Sequence, residues 1–358
     1  MDVNDYEDTF IIYPWQVEQK LSNICLYKAA GPDGLPNWFL KEMSPFVAEP
    51  ICAIFNASIT QGHVPDLWRQ ANVIPVPKIS PPKSVDSDLR PISLTATLSK
   101  ILESFVGGWI LNSVCNKLDK NQFGALKQRS TSHALISVLH HWQNALDSGN
   151  SVRSLFVDYS KAYDRVNQNI LLRKMIAMNV PQFAIRWLFS FLKGRIQRVK
   201  LRSSNTFSDW IEITAGMPQG TWLGPLTFVM YIDDLNPQCV VHKFIDDTTL
   251  TEILLKGNES AHSRMPQYLD NLLTWSTDNC MVINSKKTKE MILGTANKSP
   301  PPLLTISNSP VERVICFKLL GINICNDLRW DAHVDALCSK VASRLYFLKF
   351  STKVFQLE

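Results

Sequence analysis

One stretch restricts the fold more than any other part of the sequence: YIDDLNPQCVVHKFIDDTTL, residues 231–250. The tripeptide Ile-Asp-Asp occurs in it twice, first with Asp233 and Asp234 and again with Asp246 and Asp247. Adjacent carboxylates are oxygen donors of the kind that bind Mg²⁺. Two copies this close together cannot easily do the same job, so the local structure of each pair must indicate which of them, if either, carries chemistry.

The first pair follows a segment that is predicted to be a buried helix. A Gly-Pro dipeptide begins this segment, and proline is well accommodated in a first helical turn. Residues 226–232 are apolar except for one threonine. Asp233 and Asp234 then fall at the helix C-terminus, where the helix dipole disfavours anions. This position predicts a structural role for the first pair.

The second pair lies between two runs of strand-forming residues, VVHKFI and TTL. An Asp-Asp dipeptide between two such runs is typical of a hairpin turn. From a turn, both side chains can project from a rigid base toward a neighbouring strand. We therefore predict that Asp246 and Asp247 carry the chemistry.

A metal site for phosphoryl transfer needs a further carboxylate, because two hard cations share oxygen ligands. The best candidate is Asp158, which ends the apolar strand in LFVDYSKAYD, and the adjacent Tyr159 could offer a backbone carbonyl. Three acids within about 4 Å of one another repel strongly without cations. That repulsion favours a metal site over a core. The alternative is that Asp158 caps the following helix.

The composition is that of an ordinary folded chain. Of 358 residues, 45% are hydrophobic and 19% are charged, which excludes a disordered protein, and the length allows one to three domains. The net charge of +5 is compatible with a nucleic-acid partner without requiring one.

Several classes of protein are not expected. The eight cysteines show no C-x-x-C spacing, so neither structural zinc nor a disulfide framework is expected. The sequence therefore predicts a reducing compartment. No signal peptide is recognisable. No uncharged apolar run reaches about 18 residues, so no membrane span is expected.

Helices and strands alternate without regular βαβ spacing, which predicts the α+β class. ANVIPVPK is predicted to be a strand broken by Pro75 and Pro77. One helix is predicted to start near Pro36, and the helix after it to end at Gly62. The segment STSHALISVLHHWQNAL is predicted to be a helix capped by Ser130 or by the threonine that follows it.

The segment RIQRVKLR, residues 195–202, alternates like a strand and places Arg198, Lys200 and Arg202 on one face. Two interpretations stay open. The segment is either a solvated edge strand, which lysine and arginine protect from pairing, or a ribbon that follows nucleic-acid phosphates.

Segments spread over residues 28–340 resemble, in unchanged order, the reverse transcriptase of non-LTR (LINE-type, jockey-like) retrotransposons. These segments are KAAGPDGLPNWFLKE, VIPVPK, LRPISLTATLSKILE, QFGALKQRSTSHAL, FVDYSKAYDRV, GMPQGTWLGPLTF, FIDDT, WSTDNCMVINSKKTKEM and FKLLGINICNDLRWDAHV. One such motif would be weak, but this many in order are very specific.

The resemblance implies an α+β right-hand polymerase fold. It places an acidic N-terminal segment at residues 1–27, a reverse transcriptase domain at 58–326 and the start of a thumb at 327–358. The fingers would cover about 28–150 and the palm about 151–310.

The implied activity is RNA-directed DNA synthesis with two Mg²⁺ ions, Mn²⁺ being an alternative. The implied partners are an RNA template, a DNA primer and dNTPs, with no membrane. An endonuclease would come from a missing domain or another chain. The implied location is intracellular, in nucleus and cytoplasm. The short thumb indicates a truncated or decayed copy.

The resemblance also implies roles for individual residues at the metal site. Asp158 and Asp246 would hold the two metal ions with the backbone of Tyr159, and Asp247 would be a weaker ligand. Lys287 would protonate the departing pyrophosphate, although Lys286 and Lys289 compete for that role in SKKTK.

On the nucleotide side, Lys78 and Arg90 resemble the residues that grip the incoming phosphates, arginine as a bidentate clamp. Tyr163 resembles the aromatic gate that excludes a 2′-hydroxyl, and Gln219 would contact the nucleotide or the template base. The basic strand would face template or primer phosphates. The open alternatives are a solvated lysine at position 78 and a plain core aromatic at position 163.

The chain departs from the family pattern at Phe244, Ile245, Ala125 and Asn167, none of which removes a metal ligand. Two other functions stay open. One is a non-catalytic nucleic-acid-binding remnant of a decayed element, and the other is an RNA-dependent RNA polymerase.

Overall fold

The computed structural model describes residues 10–201, 206–257 and 263–355. The chain forms two compact units, each assembled from separate stretches. Unit 1 comprises the described residues of Met1–Asp119, Lys161–Asp234 and Asn279–Met281. Unit 2 comprises those of Lys120–Ser160, Leu235–Asp278 and Val282–Glu358.

The α-helices, in chain order, are α1 Pro14–Ser22, α2 Asn37–Glu42, α3 Ser44–Gln61, α4 Val85–Asp88, α5 Thr97–Val114, α6 Thr131–Asp147, α7 Gln168–Ala177, α8 Gln182–Leu192, α9 Leu223–Tyr231, α10 Met265–Asp278 and α11 Asp331–Phe355.

The strands are β1 Gln70–Pro77, β2 Leu89–Leu94, β3 Ser151–Val157, β4 Arg195–Val199, β5 Ile211–Ile213, β6 Val240–Phe244, β7 Asp247–Leu254, β8 Lys289–Leu293, β9 Thr305–Ile306, β10 Ser309–Pro310, β11 Glu312–Arg313, β12 Cys316–Leu319 and β13 Ile322–Cys325. Short 3₁₀ helices lie at Asp66–Arg69, Ala162–Arg165 and Thr295–Asn297.

Local signals account for several helix ends. Helix α3 ends at Gln61, and Gly62 follows it with a φ of 61°, the left-handed conformation that glycine adopts without strain. Ser130 caps α6, since its side chain accepts a hydrogen bond from the backbone N–H of His133 at 3.3 Å. Both ends are where the sequence predicts them.

Unit 1 contains a four-stranded sheet in the order β2-β1-β4-β5. Strand β1 pairs antiparallel with β2 along residues 72–77 and parallel with β4 only along residues 70–73. It continues through Pro75 and ends at Pro77, so the predicted break at Pro75 is wrong. Beyond residue 73 the strand pairs with β2 only. On its other side no hydrogen bond of the ladder requires an N–H, so proline, which lacks one, is tolerated there.

Strand β4 lies inside this sheet, between β1 and β5. The interpretation of the basic segment as an edge strand is therefore wrong. Residues 195–199 form the predicted strand, but both of their neighbours are strands of the same unit.

Unit 2 contains a five-stranded sheet in the order β11-β8-β3-β7-β6. Its central strand β3 is buried along its whole length and pairs antiparallel with both β7 and β8. Strands β6 and β7 form the predicted hairpin, in which Phe244 pairs with Asp247. The buried residues of β3 include Ser151, Arg153 and Ser154 as well as the apolar run 155–157, by which the sequence predicts the strand.

One face of this sheet packs against α6 and the β12–β13 hairpin. The rings of Phe156 and Phe317 stack with centroids 4.0 Å apart. The buried members of this core cluster are Leu135, Val138, Trp142, Ala145, Val152, Phe156, Met291, Leu293, Leu319 and Ile324.

The β12–β13 hairpin also contains a disulfide between Cys316 and Cys325, which lie opposite one another in the ladder. The cysteine spacing does not predict this pair, because only strand pairing brings the two residues together. It is a single link and not a disulfide framework.

None of the helices within residues 10–201, 206–257 and 263–355 combines the length and the apolarity needed to cross a membrane.

Candidate active site

Three carboxylates come to one end of the sheet in unit 2. The β3–β7 ladder ends at the pair Val157 and Thr248. Continuing the register by one residue sets Asp158 opposite Asp247, and residues directly opposite have Cβ atoms about 4.5–5.5 Å apart. Asp246 precedes Asp247 in the turn. The structure therefore brings together the three acids that the sequence singles out.

The turn that carries Asp246 is unusually tight. Strand β6 ends at Phe244 and β7 begins at Asp247, so only Ile245 and Asp246 connect the two strands. Ile245 has a φ of 60°, a left-handed conformation that is uncommon for a β-branched residue. A two-residue turn of this kind fixes the direction of the backbone on which both aspartates stand.

The three acids influence one another electrostatically. Partial burial of its carboxylate, and then the charges of Asp246 and Asp158, raise the pKa of Asp247 to about 6. Partial burial likewise raises the pKa of Asp158, against the opposing effect of Lys287. Loss of hydration is the main cause of both shifts, and Lys287 offsets it only in part at Asp158.

Lys287 lies on the other side of Asp158. Its Nζ is 3.9 Å from Oδ2 of Asp158, as the β3–β8 register leads one to expect. Of the competing lysines, Lys289 is occupied elsewhere, because its Nζ donates to a carboxylate oxygen of Glu312 at 2.5 Å. Lys287 is thus the lysine of SKKTK that faces the carboxylates.

The backbone of Asp158 is held firmly. Its carbonyl accepts a hydrogen bond from the N–H of Asn284 at 2.7 Å, and its N–H donates to the buried hydroxyl of Thr288 at 3.3 Å. These bonds tie the end of β3 to the loop before β8. Asp158 begins no helix here, so the capping alternative is wrong.

The donors at this end of the sheet are hard oxygen atoms of the kind that suits Mg²⁺ or Mn²⁺. Tyr159, the further predicted ligand, follows Asp158 directly, and its ring is buried. In the part of the chain that the structure describes, no group of three or more His, Cys, Asp or Glu side chains is arranged so that these side chains alone could hold a metal ion.

Two predicted nucleotide-side residues meet in unit 1. Tyr163 lies in the 3₁₀ helix Ala162–Arg165, and its carbonyl accepts a hydrogen bond from the N–H of Met217 at 2.9 Å. Gln219 donates from Nε2 to Oδ1 of Asp164 at 3.3 Å. The segments KAYDRV and GMPQG of unit 1 therefore form one local structure around these two side chains.

The ring of Tyr163 packs on that of Phe228, with centroids 5.1 Å apart. The backbone at Gly216 lies close to the backbone of Asp164. A Cβ added at Gly216 would lie 2.8 Å from the carbonyl oxygen of Asp164, so only glycine allows this approach. Tyr163 is partly buried, so packing and a gating role are both compatible with its position.

A buried acid that the sequence analysis missed supports the Gln219 segment. Glu103 of α5 is fully buried and accepts hydrogen bonds from the N–H of Trp222 at 2.9 Å and the hydroxyl of Ser99 at 3.2 Å. One turn further, Gly107 makes room for the Trp222 ring, since a Cβ there would lie 1.9 Å from it. A charged residue on an otherwise apolar helix face was the signal available in the sequence.

Lys78 and Arg90 lie on the two sides of the β1–β2 hairpin in unit 1. Arg90 pairs with Val76 in the ladder, and the N–H of Lys78 donates to the carbonyl of Asp88 at 2.7 Å. Both residues are exposed. Lys78 and Arg90 are twelve positions apart in the sequence, and the hairpin places both on the same short two-stranded segment.

The predicted basic face is only partly as expected. Arg198 lies 3.9 Å from the ring centroid of Phe207 and 4.4 Å from that of Trp210. Its Nε donates to Oδ1 of Asn72 at 2.9 Å. Lys200 also faces Phe207, so two of the three predicted cations share a face. Arg202 lies outside the described residues.

The departure at Asn167 is conservative in structural terms. Its Oδ1 accepts hydrogen bonds from the N–H groups of Asn169 at 3.0 Å and Ile170 at 3.2 Å, and so caps α7. An aspartate would make the same bonds.

Comparison with known proteins gives a consistent result. Residues 76–324 match the family described as reverse transcriptase (RNA-dependent DNA polymerase). The chain is 27% identical over 355 residues to the probable RNA-directed DNA polymerase from transposon X-element of Drosophila melanogaster, covering 95% of this chain and 38% of that protein.

It is also 27% identical over 343 residues to the RNA-directed DNA polymerase from mobile element jockey of the same fly, covering 91% of this chain and 37% of that protein. The chain therefore spans less than two fifths of the length of either relative. A solved structure of apo telomerase from Candida tropicalis, truncated from the C-terminal domain, matches 83% of this chain and 60% of its own with 12% identity and a TM-score of 0.49.

Proposed function

Since the chain belongs to the reverse transcriptase (RNA-dependent DNA polymerase) family, as its motifs predict, we propose that it copies RNA into DNA for a non-LTR retrotransposon. Members of this family have the right-hand polymerase fold, and the chain is of the predicted α+β class. The observation that supports the proposal best is the meeting of Asp158, Asp246 and Asp247 at one end of the sheet in unit 2.

Reverse transcriptases generally use divalent metal ions. We propose that Asp158 and Asp246, with the backbone carbonyl of Tyr159, hold two Mg²⁺ ions here, and that Asp247 is a weaker ligand. The raised pKa values of Asp158 and Asp247 support this fit, because a bound cation would offset the lost hydration that raises both values, and at Asp247 also the repulsion from Asp246 and Asp158. When bound, such ions activate the primer 3′-hydroxyl and neutralise the triphosphate charge.

We propose that Nζ of Lys287 donates the proton that the departing pyrophosphate needs. This Nζ lies 3.9 Å from Oδ2 of Asp158, beside the carboxylates that are proposed to hold the metal ions. Its exposure leaves the side chain room to follow the leaving group. Lys287 is a better candidate for the proton donor than Lys289, because Lys289 is paired with Glu312.

In unit 1, Lys78 and Arg90 would bind the triphosphate, and Gln219 would contact the nucleotide or the template base. Tyr163 would exclude a 2′-hydroxyl with its ring. Support comes from the hydrogen bond between Gln219 and Asp164, the residue next to Tyr163, since it links the two proposed contacts.

Arg198 and Lys200 would bind the phosphates of template or primer. The aromatic neighbours of Arg198 hold its guanidinium in place without neutralising it. A pre-positioned cation loses less entropy on binding phosphate than a mobile one.

The test is extension of a DNA primer on a homopolymer RNA template by the purified chain with Mg²⁺ and the matching dNTP, with Asp246→Asn as the control. We expect extension by the unchanged chain and none by the variant. A chain that retains template–primer on a filter but extends nothing would be a nucleic-acid-binding remnant, and the proposal would fail.

A substitution at the gate separates DNA from RNA synthesis. Tyr163→Val should lower the preference for dGTP over GTP, because no ring then meets the 2′-hydroxyl. The measurement is the ratio of kcat/KM values for the two nucleotides. A chain that prefers GTP before any substitution would instead be an RNA-dependent RNA polymerase.

A further inference from the structure

The turn between β6 and β7 is supported by a short segment of the same unit, residues 121–124. The N–H of Lys243 donates to the carbonyl of Asn121 and the N–H of Phe123 donates to the carbonyl of Lys243, both at 2.8 Å. These two bonds dock the segment along the end of β6, so its next residues lie beside the turn itself.

Gln122 makes the closest contact with the turn. Its Oε1 accepts hydrogen bonds from the N–H of Ile245 at 3.0 Å and from the N–H of Gly124 at 2.8 Å. The residue is 1% exposed. One buried side-chain oxygen therefore fixes the backbone N–H of the residue immediately before Asp246.

The turn needs such support because of its conformation. A β-branched residue in the left-handed region is strained and persists only where its surroundings impose this conformation. Gly124 is part of those surroundings: a Cβ there would lie 2.3 Å from Cγ1 and 2.6 Å from the backbone nitrogen of Ile245. The sequence Gln-Phe-Gly thus combines a hydrogen-bond acceptor with the space that the turn occupies.

Core stability alone does not explain a glutamine at this position. Its Nε2 is buried and has no hydrogen-bond partner among the residues that the structure describes, and a buried donor left unsatisfied lowers stability. The unsatisfied Nε2 therefore indicates that the glutamine is present for the hydrogen bonds that its Oε1 accepts.

We propose that Gln122 is a positioning residue for Asp246. It holds the turn in the one conformation that presents this carboxylate together with Asp158 and Asp247 to divalent cations. The inference rests on the proposed role of Asp246 as a metal ligand, but the hold of Gln122 on the turn can be measured without it.

The first test is amide hydrogen exchange in the full chain carrying Gln122→Met, which keeps the side-chain length and removes the acceptor. The matched control is Gln143→Met, an exposed glutamine on α6 whose amide bonds only to Asp147 within its own helix. Exchange should accelerate at residues 244–247 in the first variant only, while β3 stays protected. Gln122→Glu retains an acceptor oxygen and should restore the protection.

Two outcomes of that experiment overturn the proposal. Unchanged exchange at residues 244–247 would mean that Gln122 does not hold the turn. Equal acceleration across the whole sheet of unit 2 would mean that Gln122 is ordinary core packing.

The second test measures metal affinity directly, by Mn²⁺ binding in electron paramagnetic resonance, and the Mg²⁺ dependence of primer extension. Loss of a residue that orients a metal ligand typically lowers affinity about 10- to 100-fold. Gln122→Met should do so with the KM for dNTP unchanged, and Gln143→Met should not. Unaltered Mn²⁺ affinity in Gln122→Met would refute the positioning role.

Failure of the proposed function looks different. If the unchanged chain binds Mn²⁺ but extends no primer, polymerase activity fails and the affinities still decide the role of Gln122. If the unchanged chain binds no Mn²⁺, the metal role of Asp246 fails, the positioning proposal falls with it, and hydrogen exchange reports separately whether Gln122 holds the turn.

Discussion

The two Ile-Asp-Asp copies have identical side chains and opposite surroundings. In the first, Asp233 accepts a hydrogen bond from the N–H of Asp119 at 2.8 Å, and Asp234 forms an ion pair with Nζ of Lys174 at 2.6 Å. Each carboxylate has a donor that matches it. In the second copy, the acids stand next to other acids at the end of β3, and the pKa of Asp247 is raised to about 6.

The difference teaches that the tripeptide itself carries no chemistry. A carboxylate that receives an N–H or an ammonium group is a structural element. A carboxylate placed beside two others is unstable until a cation joins them. The first copy follows α9 at a helix end and the second occupies a hairpin turn. The secondary structure around each pair therefore decides whether its carboxylates meet donors or other acids.

The largest expected contrast is in activity. Asp246→Asn should reduce Mg²⁺-dependent primer extension about a thousandfold or more, because metal-ion charge stabilisation is worth several kcal/mol. The same substitution in the first copy, Asp233→Asn, should leave extension within about twofold, since the amide oxygen still accepts the bond from Asp119. If Asp233→Asn abolished extension in a folded chain, the assignment of the two pairs would be reversed.

The pH dependence of stability should differ next. Because the folded chain raises the pKa of Asp247 to about 6, protonation favours the folded state. This contribution is complete below the unfolded pKa of about 4 and is lost as the pH rises through about 6. The melting temperature of the metal-free chain should therefore fall between pH 4 and pH 7 by more than that of Asp247→Asn.

Added Mg²⁺ should reverse that loss at pH 7 and have little effect at pH 4, since a cation then replaces the proton. Thermal melts with and without Mg²⁺ measure both effects. Identical pH profiles for the unchanged chain and Asp247→Asn would show that the second copy is no more strained than the first.

A smaller effect is expected on the stability of the first copy. Asp233→Ala removes the acceptor for the N–H of Asp119 and should lower the free energy of unfolding by about 1 kcal/mol. Asp233→Asn should be nearly neutral in the same urea titration. A loss of the same size in both variants would mean that charge, and not the hydrogen bond, is what this position needs.

The smallest effect should come from Asp234→Asn. Its partner Lys174 also donates to the carbonyl of Tyr231 at 2.7 Å, so the lysine stays in place. Half-exposed ion pairs of this kind contribute about 0.5 kcal/mol, and salt screens them. The difference from the unchanged chain should vanish in urea titrations at high salt, whereas a loss that persists there would indicate a buried role.

Local patterns predicted much of the framework. The apolar run before Asp158, the two strand-forming runs around Asp246 and the Gly-Pro start of α9 each specify one element through its own residues. The choice between the two acidic pairs followed from these patterns. The break at Pro75 was wrong because the length of a neighbouring strand, and not the proline itself, decides whether an N–H is needed.

The sequence by itself determined the order of helices and strands, the family and the three acids, because these depend on neighbours along the chain. Only the tertiary structure decided that Gln122 and Gly124 lie against the turn between β6 and β7, that Glu103 accepts a hydrogen bond from the Gln219 segment and that β4 is internal. The contacts of Gln122, Gly124 and Glu103 join residues more than a hundred positions apart, and periodicity within a segment contains no information about which distant backbone group will lie beside it.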